Sequence, residues 1–139
     1  MITIATDKTM VGPWIAQQCA MIWRPEGTEA IGLVSDGKIV AGVWYEDWNP
    51  CSIITHIAIA GRITRRFLRV IFDYPFNQLG VQKIIAPVLA ANAKSIQLVE
   101  KLGFREETRI KDMHPTGDMI FFVIDKQNCK YLEDRYGKI

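Results

Sequence analysis

The sequence contains few of the residues that mark specialised classes of protein. It has 3 cysteines, 2 histidines and a net charge of +2 in 139 residues. Cys19, Cys51 and Cys129 are odd in number and form no Cys-x-x-Cys pair, which is typical of reduced thiols in a cytoplasmic protein. Because His56 and His114 are the only histidines, no closed zinc site is expected. The small net charge also argues against a dedicated nucleic-acid binder, since such proteins carry a far larger basic excess.

The chain also lacks a long apolar run. No stretch approaches the ~20 residues needed to cross a bilayer, and residues 1–4 do not begin a signal peptide. Hydrophobic residues make up 49% and charged residues 23%, a composition that allows a globular protein to bury a core. No linker, repeat or low-complexity tract divides the sequence. We therefore expect one domain over residues 1–139, in the cytoplasm and without membrane association.

The residues that are present predict a mixed α/β fold with a central, mostly antiparallel sheet of six to seven strands flanked by helices. β-Branched and alternating segments indicate the strands, and apolar residues at helical spacing indicate the helices. The predicted strands are 2–6, 29–35, 38–46, 51–60, 81–89, 104–111 and 119–126; the predicted helices are 9–21, 64–73 and 93–102, with a short helix near the C-terminus.

Turn and capping residues fix several boundaries. Asp36-Gly37 predicts a tight hairpin, because both residues tolerate positive φ. Asn92 is the expected N-cap of the third helix and Gly103 its C-terminal stop. Pro75 has no backbone N–H and is expected to end or kink the second helix.

The segment from Ile59 to Arg66 is a strand end that turns directly into a helix. A helix N-terminus exposes unpaired N–H groups and a partial positive charge, which suit a diphosphate. Gly61 allows close backbone approach, and arginines add charge-assisted hydrogen bonds. An ordinary turn with solvated arginines is the alternative. Helical spacing also predicts that one face carries Arg62, Arg65, Arg66 and Arg69.

A second group of motifs follows in the C-terminal half. They are Leu79-Gly80-Val81, Asn92-x-x-Ser95 and Glu100-Lys101-Leu102-Gly103-Phe104. From about residue 55 to residue 126 the sequence resembles the GNAT family of N-acetyltransferases, especially its ribosomal-protein branch and compact members that occur in tailed bacteriophages.

The resemblance implies a splayed sheet in which two neighbouring parallel strands diverge to admit the pantetheine arm of acetyl-CoA. It implies that Asn92 and Ser95 contact this co-substrate, and that a backbone N–H near Ile57 or Ile59 polarises the thioester carbonyl. It also assigns the diphosphate contacts to the turn and helix start, namely Gly61, Arg62, Thr64, Arg65 and Arg66.

The sequence departs from the family pattern at two places. The glycine-rich phosphate loop keeps only Gly61. The tyrosine that often protonates the departing thiolate falls on Val99, which has no proton to give. A water molecule, Ser95 or no specific group is left for that role.

Acetyl transfer requires a neutral amine, so the acceptor sets the need for a general base. At pH 7 deprotonation costs roughly 4–5 kcal/mol for an amine of pKa ~10.4 and about 1 kcal/mol for an α-amino group of pKa ~7.7. The candidate bases near the expected cleft are His56, Glu46 and Asp47. His56 has the most suitable intrinsic pKa, although a satisfied core histidine is the common alternative.

The sequence therefore predicts an enzyme that moves an acetyl group from acetyl-CoA to an amine on a protein or small molecule. A catalytically degenerate module that binds CoA or a host protein is the second hypothesis. A nucleic-acid-associated protein that uses the arginines is the third and the least favoured. No metal is expected, and a monomer and a homodimer are both open.

Overall fold

The computed structural model describes residues 1–137. Within this range, seven strands form one sheet in the order β1-β2-β3-β4-β5-β7-β6. Neighbouring strands are antiparallel, except that β4 and β5 are parallel. The predicted mixed fold is therefore confirmed. The elements are β1 Ile2–Ala5, α1 Lys8–Cys19, β2 Thr28–Ser35, β3 Lys38–Glu46, β4 Ser52–Ile59, α2 Arg65–Asp73, β5 Lys83–Leu89, α3 Ala93–Leu102, β6 Arg105–His114 and β7 Gly117–Asp125.

The predicted hairpin between β2 and β3 is present. Asp36 has φ of 50° and Gly37 has φ of 81°, as a two-residue turn with left-handed residues requires. The pairing continues from this turn to Thr28 and Glu46 at the other end of the two strands. This register fixes the position of Glu46 relative to the next strand, β4.

Helices cover both faces of the sheet. On one face, α1 buries Val11 and Ile15 against Trp44. On the opposite face, α2 and α3 contribute Phe67 and Val99 to the larger apolar core. Successive side chains of a strand point to opposite faces, so neighbouring residues of β3 and β4 belong to different layers. No helix in residues 1–137 is long and apolar enough to cross a membrane.

The second helix ends where Pro75 predicts a break. It stops at Asp73 and continues as one π-helical turn, Tyr74–Gln78. Pro75 cannot donate a hydrogen bond to the Ile71 carbonyl in the α-helical pattern. The buried Tyr45 hydroxyl donates to that carbonyl instead, at 2.5 Å.

Two predictions about the surface are wrong. Arg62 precedes α2, and the Arg69 side chain is only 11% exposed: it donates to the Leu132 carbonyl and lies 3.9 Å from Asp73. The four arginines thus do not share one solvated face. The expected C-terminal helix is replaced by three short 3-10 turns, Lys126–Asn128, Lys130–Leu132 and Asp134–Tyr136, one of which receives the Arg69 hydrogen bond.

Candidate active site

The parallel strands β4 and β5 separate part-way along their length. They pair only from Ser52 to Ile54 with Lys83 to Ile85, although β4 runs on to Ile59 and β5 to Leu89. Beyond the paired residues, the β5 edge of β4 has no strand partner. The structure therefore contains the splay that the sequence resemblance implies.

Main-chain N–H groups of β4 face this opening. The Ala60 N–H donates to the Val40 carbonyl of β3, whereas the Cys51 carbonyl accepts from the Lys83 N–H of β5. Backbone groups alternate in direction along a strand, so the N–H groups of Ile57 and Ile59 point to the β5 side, where the pairing has ended. They are available donors in the opening.

Two adjoining cavities occupy the opening. We call the first, of about 250 Å³, the inner cavity; it lies between the start of the splay and the tip of the β6–β7 hairpin. The second, of about 210 Å³, is the outer cavity and lies along the end of β4 from Ile57 to Ile59. Four residues line both cavities: Cys19, Ile57, Asn92 and Ser95.

Two of the predicted catalytic residues meet at the inner cavity. His56 lines it, and its Nε2 lies 2.8 Å from Glu46 Oε1. The β3–β4 register pairs Trp44 with His56, which places Glu46 diagonally across the strand pair on the same face. The Trp44 ring contacts the His56 ring edge-on, with centroids 5.5 Å apart. The side chains of His56 and Glu46 are 13% and 27% exposed.

This arrangement defines the chemistry open to His56. An ionised carboxylate only accepts hydrogen bonds, so in the neutral imidazole Nε2 carries the hydrogen and Nδ1 has the free lone pair. Asp47, the other candidate base, is exposed in a left-handed conformation after β3 and does not line either cavity. The structure thus brings together His56 and Glu46 and leaves Asp47 outside.

Asn92 and Ser95 stand at the junction of the two cavities. The Asn92 side chain caps α3 by accepting from the Ser95 N–H at 3.1 Å, as the sequence predicts. Its Nδ2 has no hydrogen-bond acceptor among residues 1–137, so the cap leaves this donor available. Val99, at the position of the missing tyrosine, is buried and lines the inner cavity one turn further along α3.

The predicted diphosphate residues lie just beyond the outer cavity rather than in its lining. The Thr64 hydroxyl is the N-cap of α2 and accepts from the Phe67 N–H at 3.1 Å. Packing alone explains a glycine at position 61, because a Cβ on Gly61 would lie 2.9 Å from Val40. Arg62, Arg65 and Arg66 are exposed. Their contact with a diphosphate stays a prediction.

Sequence reasoning missed three ionisable residues of the cavities. Cys19 ends α1 and lies 4.0 Å from the Ile57 carbonyl, and burial raises the pKa of its thiol. His114 reaches the inner cavity from the β6–β7 hairpin, beside the end of β5. Lys94 adds a positive charge to the outer cavity. Lys94 could have been found from its place between Asn92 and Ser95, whereas the other two depend on long-range topology.

A family model described as an acetyltransferase (GNAT) domain matches residues 53–128. The match covers more than half of the chain and includes β4, α2, β5, α3 and β7. The chain belongs to the GNAT acetyltransferase family. The resemblance noted in the sequence is thereby confirmed at the level of the family. No curated protein matches the full sequence.

Solved structures of acetyltransferases have the same fold. The dodecameric spermidine N-acetyltransferase of Vibrio cholerae is 18% identical with a TM-score of 0.71, over 95% of this chain and 96% of that one. The ribosomal-protein-S18-alanine N-acetyltransferase of Escherichia coli is 24% identical with a TM-score of 0.64, over 90% and 94%. The ribosomal-protein-S5-alanine acetyltransferase of Vibrio fischeri is 21% identical with a TM-score of 0.60, over 75% and 64%.

Proposed function

We propose that this GNAT chain transfers an acetyl group from acetyl-CoA to an amine by direct attack, with the outer cavity for the pantetheine arm and the inner cavity for the acceptor. The observation that carries the proposal is the splay between β4 and β5, which leaves the Ile57 and Ile59 N–H groups without strand partners beside the His56–Glu46 pair. Acetyl-CoA, when bound, supplies the thioester carbonyl that the amine attacks.

The residues of the outer cavity fit such a co-substrate. Its lining combines apolar side chains with polar ones, its charged member is the cation Lys94, and the Asn92 amide nitrogen has no acceptor among the described residues. An unpartnered amide donor and a lysine suit the carbonyl and phosphate oxygens of a CoA thioester. Further along the chain, the α2 start at Thr64 and the exposed Arg65 are proposed to hold the diphosphate.

His56 is the proposed general base. Its Nδ1 would take a proton from the acceptor ammonium so that the neutral amine can attack, while the Glu46 carboxylate orients the ring and stabilises the imidazolium that forms. The main-chain N–H of Ile57 or Ile59 would donate to the thioester oxygen as negative charge develops on it. For the departing thiolate, Ser95 or a water molecule is the proposed proton donor, because Val99 has none to give.

The test compares wild type with Glu46→Gln and His56→Gln in a CoA-release assay, using two acceptors of different basicity. A strongly basic amine of pKa ~10.4 needs the base far more than an amine of pKa ~7.7. We expect His56→Gln to lower kcat about 100-fold for the first amine and clearly less for the second. Glu46→Gln is also expected to lower kcat, by a smaller factor than His56→Gln.

Asp47→Asn is the matched control for Glu46→Gln. It removes a neighbouring carboxylate that lies outside both cavities, and asparagine tolerates the left-handed backbone at this position. We expect its kcat to equal that of wild type. If His56→Gln lowered kcat equally for both acceptors, His56 would not be the general base. Binding of acetyl-CoA without transfer to any amine would favour the degenerate binding module instead.

A further inference from the structure

The inner cavity has an unusual lack of fixed charge for a site that is proposed to receive a cation. Within residues 1–137, its lining contains no aspartate, glutamate, lysine or arginine. The groups that could ionise there are His56, His114 and the Cys19 thiol, whose pKa is raised by burial. The cavity therefore offers no fixed negative charge.

Apolar side chains predominate at the end of the inner cavity formed by β5 and β7, where His114 also lies. Met21 follows α1, Pro87 and Leu89 belong to β5, and Met119 is the third residue of β7. Met119 pairs with Leu89 across the β5–β7 ladder, so both belong to the same end of the sheet. A substituent of the acceptor that extends in this direction meets hydrocarbon and thioether groups.

Two carboxylates that adjoin this lining already have partners. Glu46 lies behind His56 and is held by it at 2.8 Å. Asp118 precedes Met119 in β7; its Oδ1 accepts from the Asp112 N–H at 3.0 Å, and its Oδ2 lies 3.9 Å from Arg109. Each of these carboxylates already has a partner, so a second ammonium group of an acceptor would compete with that partner.

We propose that the acceptor is a monoamine whose amino group is attached to an apolar substituent. This inference rests on the proposed function and specifies the substrate class of the same site. A second ammonium group would lose water in the inner cavity without an opposite charge to replace it, which is strongly unfavourable. An alkyl or aromatic substituent gains free energy when it leaves water for the same surroundings. A free amine and a polypeptide N-terminus with an apolar first residue share this chemistry.

The decisive comparison uses hexylamine and hexane-1,6-diamine with the wild-type protein and acetyl-CoA. The two acceptors have the same carbon chain, and the diamine adds one ammonium group at the far end. We expect kcat/KM for hexylamine to exceed that for the diamine by about tenfold or more, the factor that corresponds to roughly 1.4 kcal/mol. A tetrapeptide beginning with leucine is the third arm: a higher kcat/KM for it than for leucine amide would identify a polypeptide as the source of the amine.

A charge inserted into the inner cavity should change the preference. In Met119→Glu the new carboxylate gives the second ammonium a partner, so the ratio of diamine to hexylamine kcat/KM should rise about tenfold. Met113→Glu adds the same charge on β6 at a side chain that is 52% exposed and outside both cavities. The ratio of diamine to hexylamine kcat/KM in Met113→Glu should equal that of wild type.

The possible results distinguish the monoamine inference from the proposed acetyl transfer. If wild type had the same kcat/KM for the diamine as for hexylamine, the monoamine inference would be overturned and the proposal of acetyl transfer would stand. Failure to acetylate any amine would overturn the proposed function and the inference with it. The wild-type comparison needs no substitution, so the inference stays testable even if Met119→Glu does not fold.

Discussion

At the scale of single residues, Cys19 and Cys51 have the same side chain in opposite surroundings. Cys19 lines both cavities and its thiol pKa is raised by burial, whereas Cys51 is exposed at the start of β4. A raised pKa lowers the thiolate fraction at a given pH, and the thiolate is the species that alkylating reagents attack. Cys19 should therefore react more slowly than Cys51 near neutral pH.

Bound acetyl-CoA should widen this difference. We expect saturating acetyl-CoA to slow the alkylation of Cys19 by N-ethylmaleimide at least about tenfold, since the pantetheine arm would cover the thiol and a buried thiol reacts only when it becomes accessible. The rate at Cys51 in the same sample is the internal control and should not change. Peptide mass spectrometry reports both rates. Unchanged reactivity of Cys19 would show that the ligand does not occupy the opening.

Residue chemistry indicated part of the candidate site. Glu46 and His56 were recognisable as bases from their side chains, and only residues 47–51 separate β3 and β4, the strands that carry them. Cys19 and His114 were not recognisable, because nothing local brings residues so far apart in the chain to one cavity. The position of His114 depends on β7 lying between β5 and β6, and that of Cys19 depends on the packing of α1 against β2, β3 and β4. Periodicity along the chain specifies neither.

At the scale of elements, the junction of α2 with the π-helical turn depends on one hydrogen bond from β3. The Tyr45 hydroxyl is fully buried and donates to the Ile71 carbonyl, for which Pro75 has no N–H. Burial raises the pKa of Tyr45 well above its ordinary value, so the hydroxyl keeps its hydrogen. Tyr45→Phe leaves a buried carbonyl without this donor.

We expect Tyr45→Phe to lower the free energy of unfolding by about 1–2 kcal/mol, the usual cost of an unsatisfied buried polar group. Urea unfolding measures the change. Tyr74→Phe is the matched control: its ring contacts Tyr45 with centroids 5.2 Å apart, but its hydroxyl has no hydrogen bond among residues 1–137. Its effect should stay within about 0.5 kcal/mol, and an equal loss in both variants would contradict the role given to the Tyr45 hydroxyl.

The elements that were predicted well are those with local signals. Pro75 ended α2, and Asn92 and Gly103 bounded α3, because each acts on its own backbone. The elements predicted badly depend on tertiary contacts. Arg69 matched a solvated helical face in the sequence, yet its guanidinium packs against the C-terminal turns. Those turns are held by Tyr131 stacking on Phe72 rather than by any helical periodicity of their own.

At the scale of the whole molecule, the splay between β4 and β5 is a break in a sheet that is otherwise paired from β1 to β6. A ligand that fills it contacts β4, β5, α1 and α3 together, and all of these contacts are lost on unfolding. Binding to the folded state alone raises the free energy of unfolding by about 2.7 kcal/mol when the ligand is at a hundredfold excess over its Kd. Acetyl-CoA should therefore raise Tm by roughly 10 °C at that excess.

A substitution that blocks the opening should abolish this stabilisation without unfolding the protein. Ser95→Phe places a large side chain where the two cavities meet, whereas Gln97→Phe adds the same side chain to an exposed position of α3 outside both. We expect no acetyl-CoA-dependent rise in Tm for Ser95→Phe and a full rise for Gln97→Phe. In wild type and Gln97→Phe, each further tenfold increase in acetyl-CoA concentration above its Kd should raise the free energy of unfolding by about 1.4 kcal/mol. If Ser95→Phe retained that slope, acetyl-CoA would bind elsewhere on the molecule, and the splayed strands could not be the place where acetyl transfer occurs.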